Sequence, residues 1–427
     1  MRPSLPARLS LAAALVLAAA CAPSSRGIST AAGADSLSIR RDVNYLASDA
    51  LEGRRTGTAG NDSAAAYVAR RFAALGLRPF GGGYLQRFDA RPARNPHAPP
   101  ADTLLPTQNV VGWVPGTDPA LRDQYVVVGA HFDHLGHSAQ FAQDPEAKDA
   151  IRNGADDNAS GTAAVMELAR LLARHPARRP VIFVAFSGEE YGLLGSSWFV
   201  KHPPVPLGQV VAMLNFDMVG RLRDDKLLVY GTATAAELPA ILDSANASTK
   251  LRLAGGGDGF GSSDHASFYG EGIPVLHFFS DLHDDYHRAT DDAEKINAPG
   301  IARVVTLAEG VLRRVGDRPA RMAVIRSAAP PRMEGSGSGV YLGSIPDMGA
   351  TDVKGMRLTG VRAGSPADKG GLRAGDVIVE FGGRAVTDIY SYTEALNAHK
   401  PGDTVPVVVL REGQRTSLTV TLGRRGG

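Results

Sequence analysis

Cysteine is almost missing from this chain: Cys21 is the only one in 427 residues. No internal disulfide can therefore staple the fold, and no thiolate is on offer for a metal site built from its strands. An excess of either charge is missing as well. The balance is 46 Lys and Arg against 44 Asp and Glu, formally +2, without the basic stripe that a nucleic-acid partner requires. No G-x-S-x-G elbow occurs, which disfavours a serine hydrolase, and no long-period repeat is present. The GSGSG run at 335–339 has neither a strand-to-helix context nor a following lysine, so it is not a phosphate loop. What is present, 44% hydrophobic and 21% charged residues, describes an ordinary globular protein. Its length favours two folded units over one.

The first 20 residues read as a signal peptide. Arg2 and Arg8 precede an apolar stretch, Leu11 to Ala20, that is too short and alanine-rich for a spanning helix. Cys21 then stands where a lipobox places its acylated cysteine, although Ala18 occupies the position usually held by leucine. The expectation is an exported protein of the cell envelope or periplasm, lipid-anchored through Cys21 after a tether at 21–35. A plain secretory signal with an incidental cysteine is the alternative. The anchor is the only membrane association expected.

Helical spacing follows in "SLSIRRDVNYLASDAL" and "NDSAAAYVARRFAALGL". Beyond a proline-rich loop come the short apolar runs "NVVGWV", "YVVVGAH", "VIFVAF" and "VVAMLNF", with a helical segment between the second and third. Near-continuous apolar strands alternating with helices predict an α/β fold, with a mixed, mostly parallel sheet flanked by helices. This unit is expected over 36–318. The stretch 319–339 reads as a linker, proline and then alternating glycine and serine. Residues 340–424 read as a small β-rich domain, with strands bounded by Gly and Asp turns around one short helix.

Chemistry-bearing residues stand at the ends of the apolar strands. His131, Asp133 and His134 follow "VVVGA"; Asp156 and Asp157 lie in the loop "NGADDNASG"; Glu189 and Glu190 follow "VIFVAF"; Asp217 ends "MLNFD"; Asp264, His265 and His287 come later. Open α/β sheets bind ligands at the carboxyl ends of their strands. Singly, each residue has a bland reading as a turn, a helix cap or a solvated charge. Together, the carboxylates would repel one another unless cations neutralise them. Imidazole beside carboxylate suits zinc or a similar divalent metal. Strand periodicity puts His131 and Asp133 on one side, so that Asp133 can accept the second imidazole N–H and fix the tautomer of His131.

The ordered motifs "GAHFDH", "NGADDNASG", "AFSGEEYGLLGS", "NFDMVG", "SDHASF" and "YHRATDD" resemble the co-catalytic dizinc aminopeptidases of the bacterial leucyl aminopeptidase type. Glutamate carboxypeptidase and the glutaminyl cyclases are relatives of that family. The resemblance covers roughly residues 36–316. It implies two Zn2+ ions, other divalent metals being alternatives: His131 and Asp217 on one, Glu190 and His287 on the other, and Asp157 bridging. Asp156 is then the less favoured ligand. It implies Glu189 as the general base towards a metal-bound water, so that two adjacent glutamates divide two tasks. Several relatives carry tyrosine before "SDH", where this chain has Ser262. Oxyanion stabilisation then rests on zinc alone or on another donor, His265 or Tyr286, with Asp264 behind the site.

The segment "SPADKGGLRAGDVIVEFGG" resembles a PDZ domain of the bacterial protease type. The resemblance implies capture of a C-terminal peptide by the loop Tyr341, Leu342, Gly343 and Ser344; a PDZ that only packs on its neighbour is the alternative. The expected function is an exported zinc aminopeptidase acting on peptide substrates, with no nucleic-acid partner. A carboxypeptidase or glutaminyl cyclase on the same scaffold is one alternative, and an inactive adaptor working through its PDZ is another.

Overall fold

The computed structural model describes Met1, residues 33–91, 104–326 apart from 145, and 340–424 apart from 347–352, 363, 388–390, 393–394 and 397. The expected signal peptide, Cys21 and the stretch 327–339 lie outside the described residues.

Four buried runs form the centre of one sheet: β3 (Tyr125–His131), β4 (Val181–Phe186), β5 (Val210–Phe216) and β8 (Val275–Phe279). They pair in parallel in the order β4-β3-β5-β8. Both faces of these strands are buried, and period 2 divides their side chains between two cores. Val126, Val128 and Ala130 face one core; Val127 faces the other. The first core is covered by α1 (Ser36–Leu46), α2 (Ala59–Ala74), α3 (Gly161–Arg174) and α7 (Ala298–Gly316). Phe199 of α4 (Leu194–Lys201) and Phe268 of α6 (His265–Gly270) close the second.

Each flank joins this centre through an antiparallel pair. β1 (Leu85–Ala90) and β2 (Leu105–Val114) extend one side. On the other, β6 (Lys226–Tyr230) pairs antiparallel with β8 and carries β7 (Arg252–Gly256) at the edge. The edge strands β1 and β7 are short and only partly buried, which is why no continuous apolar run announces them. No helix among the described residues is long and apolar enough to cross a membrane.

Two local devices set up the loops near the strand ends. Thr58 caps α2 by accepting from the amide of Asn61. Ahead of it, Glu52, Gly53 and Arg54 all take positive φ. Gly53 has to be glycine, because a Cβ there would lie 2.1 Å from the carbonyl oxygen of Arg152.

The expected linker begins later than 319. Met322 is buried in the main core, Val324 bridges Ala235, and Ile325 donates its amide to Thr234 O at 2.9 Å. Residues 322–326 therefore pack on the first unit. An apolar side chain and paired backbone groups hold them there, and the proline-and-glycine composition of the neighbouring stretch gives no sign of it.

The C-terminal part has its own core, with Leu342, Leu358, Ile378, Phe381, Val407 and Val409 among its members. Its main sheet comprises β10 (Ser344–Pro346), β11 (Met356–Val361), β12 (Val377–Phe381), β14 (Thr404–Arg411) and β15 (Gln414–Thr421), with β13 (Arg384–Ala385) beside β12. β9 (Val340–Tyr341) pairs with β16 (Gly423–Arg424). Asp376 accepts two bonds from Arg411, at 2.7 and 2.8 Å, tying β14 to the turn before β12.

Candidate metal centre

β3, β4 and β5 end side by side, and the residues just beyond them converge. His131 Nε2 lies 3.3 Å from Asp157 Oδ1 and 3.3 Å from Asp217 Oδ1. His287 Nε2 lies 3.1 Å from Asp157 Oδ2 and 3.1 Å from Glu190 Oε2. Asp157 thus offers one oxygen to each group and stands between them. Donors about 3 Å apart are spaced like neighbouring ligands roughly 2 Å from a tetrahedral ion. The peptide bond from Asp157 to Asn158 is cis.

The electrostatics fit cations. Burial alone would push Asp157 up, yet His134, His131 and His287 hold it well below the carboxylate range. Burial likewise works against Glu190, and His287 and His134 bring it down to about 2. Glu189 goes the other way: burial raises it well above the usual value against the pull of His131, and Asp217, Glu190 and Asp264 add to the rise. Asp264 is fully buried, its two oxygens have no hydrogen-bond partner, and burial pushes it up to about 7. So many buried acidic groups with three imidazoles among them form a donor set that suits divalent metal. The sets His131, Asp157, Asp217 and His134, Asp157, Glu190 each have their donor atoms close enough to hold one ion.

Each histidine is aimed from behind. His287 Nδ1 donates to Phe141 O at 2.9 Å. His131 Nδ1 lies 3.2 Å from the backbone oxygen of Asp133 and 3.7 Å from its carboxylate. The backbone carbonyl of Asp133 is thus the nearer partner of the imidazole, with the expected carboxylate partner 0.5 Å farther off. β3 ends at His131, so strand alternation no longer governs Asp133. Its carboxylate accepts from Thr56 Oγ1 at 2.8 Å and from the amide of Glu189 at 3.2 Å.

Asp156, the less favoured ligand, is fully engaged elsewhere. One oxygen accepts from Ser160 Oγ and the amide of Gly220, and the other faces His283 Nε2 at 3.0 Å. The loop carrying Asp156 and Asp157 is gripped by Asp291, whose Oδ2 accepts both of their amides at 2.8 and 3.1 Å. Arg221 holds the other oxygen of Asp291 at 3.0 Å.

Of the remaining candidates, Tyr286 stacks on His287 with centroids 3.8 Å apart. Burial and the surrounding carboxylates hold its hydroxyl protonated, well above its usual range. His265 is buried and stacks on His277 at 4.5 Å, and burial keeps it well below the usual imidazole value. Ser262 is exposed, whereas its neighbour Ser263 is buried and accepts from Asn215 at 2.8 Å. Replacing tyrosine at that position thus leaves a surface hydroxyl. In the second domain Leu342 is buried in the core and Tyr341 pairs in β9. Gly343 takes φ +83, and Ser344 Oγ lies 2.7 Å from the Tyr392 hydroxyl.

Motif reading passed over Arg54, Thr56 and Asp291, and named His134 without a role. Arg54 is fully buried and donates to the carbonyls of Leu46, Phe132, Asn153 and Gly154. Burial brings it down to about 10, although Asp133 and Asp157 oppose the shift. The stretch "LEGRRTGT", with three charges and two glycines, was the available signal. Such a run resembles an ordinary turn until its position is known.

An α/β sheet whose strand ends carry a bridged acidic and imidazole cluster presents a donor set suited to divalent metal. Residues 109–311 match the model of Peptidase family M28, and residues 337–422 match that of a PDZ domain. Among curated relatives, aminopeptidase YwaD of Bacillus subtilis is 29% identical over 210 residues, which is 46% of this chain and 42% of that protein. Leupeptin-inactivating enzyme 1 of Streptomyces exfoliatus is 30% identical over 191 residues, 44% of this chain and 38% of that one. The chain thus spans less than half the length of these two relatives. Among solved structures, a zinc aminopeptidase from Bacillus subtilis superposes with TM-score 0.54 at 18% identity, covering 67% of this chain and 97% of its own. A Zn-dependent exopeptidase from Parabacteroides distasonis gives 0.55 at 20%, covering 66% and 99%. These two share the fold.

Proposed function

We propose that the chain is an exported zinc aminopeptidase that takes two metal ions and removes N-terminal residues from peptides. The observation that carries this reading is Asp157, one oxygen turned to His131 and Asp217 and the other near His287 and Glu190, with Glu189 beside them. His131, Asp157 and Asp217 would hold one zinc; Asp157, Glu190 and His287 would hold the other. Zinc supplies Lewis acidity there, toward the scissile carbonyl and toward the attacking water.

The chain's own residues do the rest. Glu189 is in neither donor set, and its Oε2 lies 3.9 Å from His131 Nε2. It takes the proton from the attacking water and hands it to the departing amine. Its raised proton affinity suits a group that must hold that proton between the two steps. Tyr286, stacked on His287 and kept protonated, would be the hydroxyl donor for the developing oxyanion.

Met218, next to Asp217, packs with Leu228, Phe279, Leu282, Tyr230 and Tyr286 in a small apolar cluster separate from the main core. Export, anchoring through Cys21 and peptide capture by the loop Tyr341–Ser344 complete the proposal. They rest on the N-terminal sequence and the PDZ assignment.

The test is hydrolysis of a panel of free and N-blocked peptides by the purified protein, with bound zinc counted in the same sample. Cleavage of free N-termini alone, with two zincs, supports the proposal. Cleavage from the other end moves the activity to a carboxypeptidase, and cyclisation of N-terminal glutamine to a cyclase. No turnover after zinc is restored leaves the adaptor.

A further inference from the structure

His134 is fully buried next to Glu190. Its Nδ1 lies 2.7 Å from Glu190 Oε1, while the other oxygen of that carboxylate, Oε2, is the one 3.1 Å from His287. The two oxygens of Glu190 are therefore divided between a hydrogen bond and the metal-facing side. His134 Nδ1 is 3.9 Å from Asp157 Oδ2, beyond hydrogen-bonding distance. The imidazole is fixed by close packing: a Cβ on Gly154, which has φ +57, would lie 2.4 Å from the His134 ring. Three residues earlier in the chain, His131 faces the other donor group, and between them Asp133 accepts the amide of Glu189 at 3.2 Å.

The run His131-Phe132-Asp133-His134 thus reaches both glutamates of the Glu189–Glu190 pair, one through its backbone and the other through its carboxylate. Neighbouring glutamates on a turn are chemically alike, and something has to assign their roles. We propose that His134 is a positioning residue: its Nδ1–H holds Glu190 Oε1, turns Oε2 to the metal side, and thereby reserves Glu190 as ligand and leaves Glu189 as base. This rests on the zinc peptidase function proposed for the chain. An imidazole bonded to the outer oxygen of a ligating carboxylate fixes its orientation, and removing such a partner typically lowers metal affinity about 10–100-fold.

The test uses the full chain with His134→Asn, His134→Gln and His134→Ala. Asparagine places its amide N–H where Nδ1–H stands; glutamine reaches towards the Nε2 position. Zinc affinity is read by competition with a chelator, and the ligand set by the visible spectrum of the cobalt-substituted protein. The expected result is a loss of about 10–100-fold in affinity for Ala and Gln, recovery to within a few-fold for Asn, and one cobalt spectrum throughout. If Asn is as damaging as Ala and the spectrum changes, His134 is itself a ligand and the proposal is overturned. Unchanged affinity in the Ala variant overturns it too.

Should the variants fail to fold, nitrogen NMR of wild-type His134 decides: a hydrogen-bonded proton on Nδ1 supports the role, and a bare Nδ1 refutes it. Failure of the underlying zinc peptidase function shows separately, as wild-type protein that neither binds zinc above trace nor cleaves peptides.

Discussion

Glu189→Gln tests the division of labour between the two glutamates most directly. The side chain is in neither donor set, its carboxylate is 3.9 Å from His131 Nε2, and its amide is held by Asp133. The amide isostere keeps shape and backbone anchorage and removes only the basic oxygen. General acid–base catalysis is worth about 10²–10⁴-fold. The expected drop in kcat/KM is therefore about 10²–10⁴, roughly 3–5 kcal/mol of transition-state stabilisation, carried mostly by kcat. Zinc content stays at the wild-type value.

A second consequence has the opposite sign. Burial and the Asp217, Glu190 and Asp264 charges raise Glu189 well above its unfolded value. In the metal-free protein its ionisation therefore opposes folding as pH rises above the ordinary glutamate range. Glutamine removes that cost, so metal-free Glu189→Gln melts at or above the wild-type temperature at neutral pH. Peptide kinetics, metal analysis and thermal melts check the three outcomes. Activity within tenfold of wild type, or loss of zinc, refutes the assignment.

Asp291→Ala orphans the amides of Asp156 and Asp157; the expected cost is about 1–3 kcal/mol for each amide and 10–100-fold in metal affinity, read by urea melts and zinc titration. Arg54→Met strips donors from the carbonyls of Leu46, Phe132, Asn153 and Gly154; Gly154 O keeps the amide of Ala159, and at ~1–3 kcal/mol for each of the other three the variant destabilises by at least ~3 kcal/mol in the same melts. For acid stability, His277 is the group to follow. Burial and His131 bring it down to about 4, against the pull of Asp217. Its contribution is complete above the unfolded value near 6.5 and is lost as pH falls through that value towards 4, about 3 kcal/mol in all. Asn215 bonds its Nδ1 at 3.1 Å, and a His277→Gln variant flattens the pH dependence of metal-free stability between pH 6.5 and 4; an unchanged slope refutes the assignment.

The parallel core and the candidate metal-facing residues were legible because each was written locally. A strand buried on both faces must be apolar along its length, and the residue where it ends must break that pattern. His131, Asp217 and the Glu189–Glu190 pair all stand at or just beyond such breaks. Carboxylates and imidazoles at strand ends suggested a metal, and the resemblance of the ordered motifs suggested which residues would hold it.

What the tertiary structure alone decided was which atom faces which. Asp157 and His287 are far apart in the chain, and only folding puts Nε2 within 3.1 Å of Oδ2. Asp133 followed a histidine on an apparent strand, yet the strand stopped at that histidine, and the Asp133 carboxylate went to Thr56 and the amide of Glu189. Arg54 and Asp291 had no periodic context at all, since their partners are backbone groups of distant loops. Sequence carries side-chain chemistry and strand period, which are local. The satisfaction of buried backbone groups is a demand of the closed interior, and it appears only when the chain has folded around it.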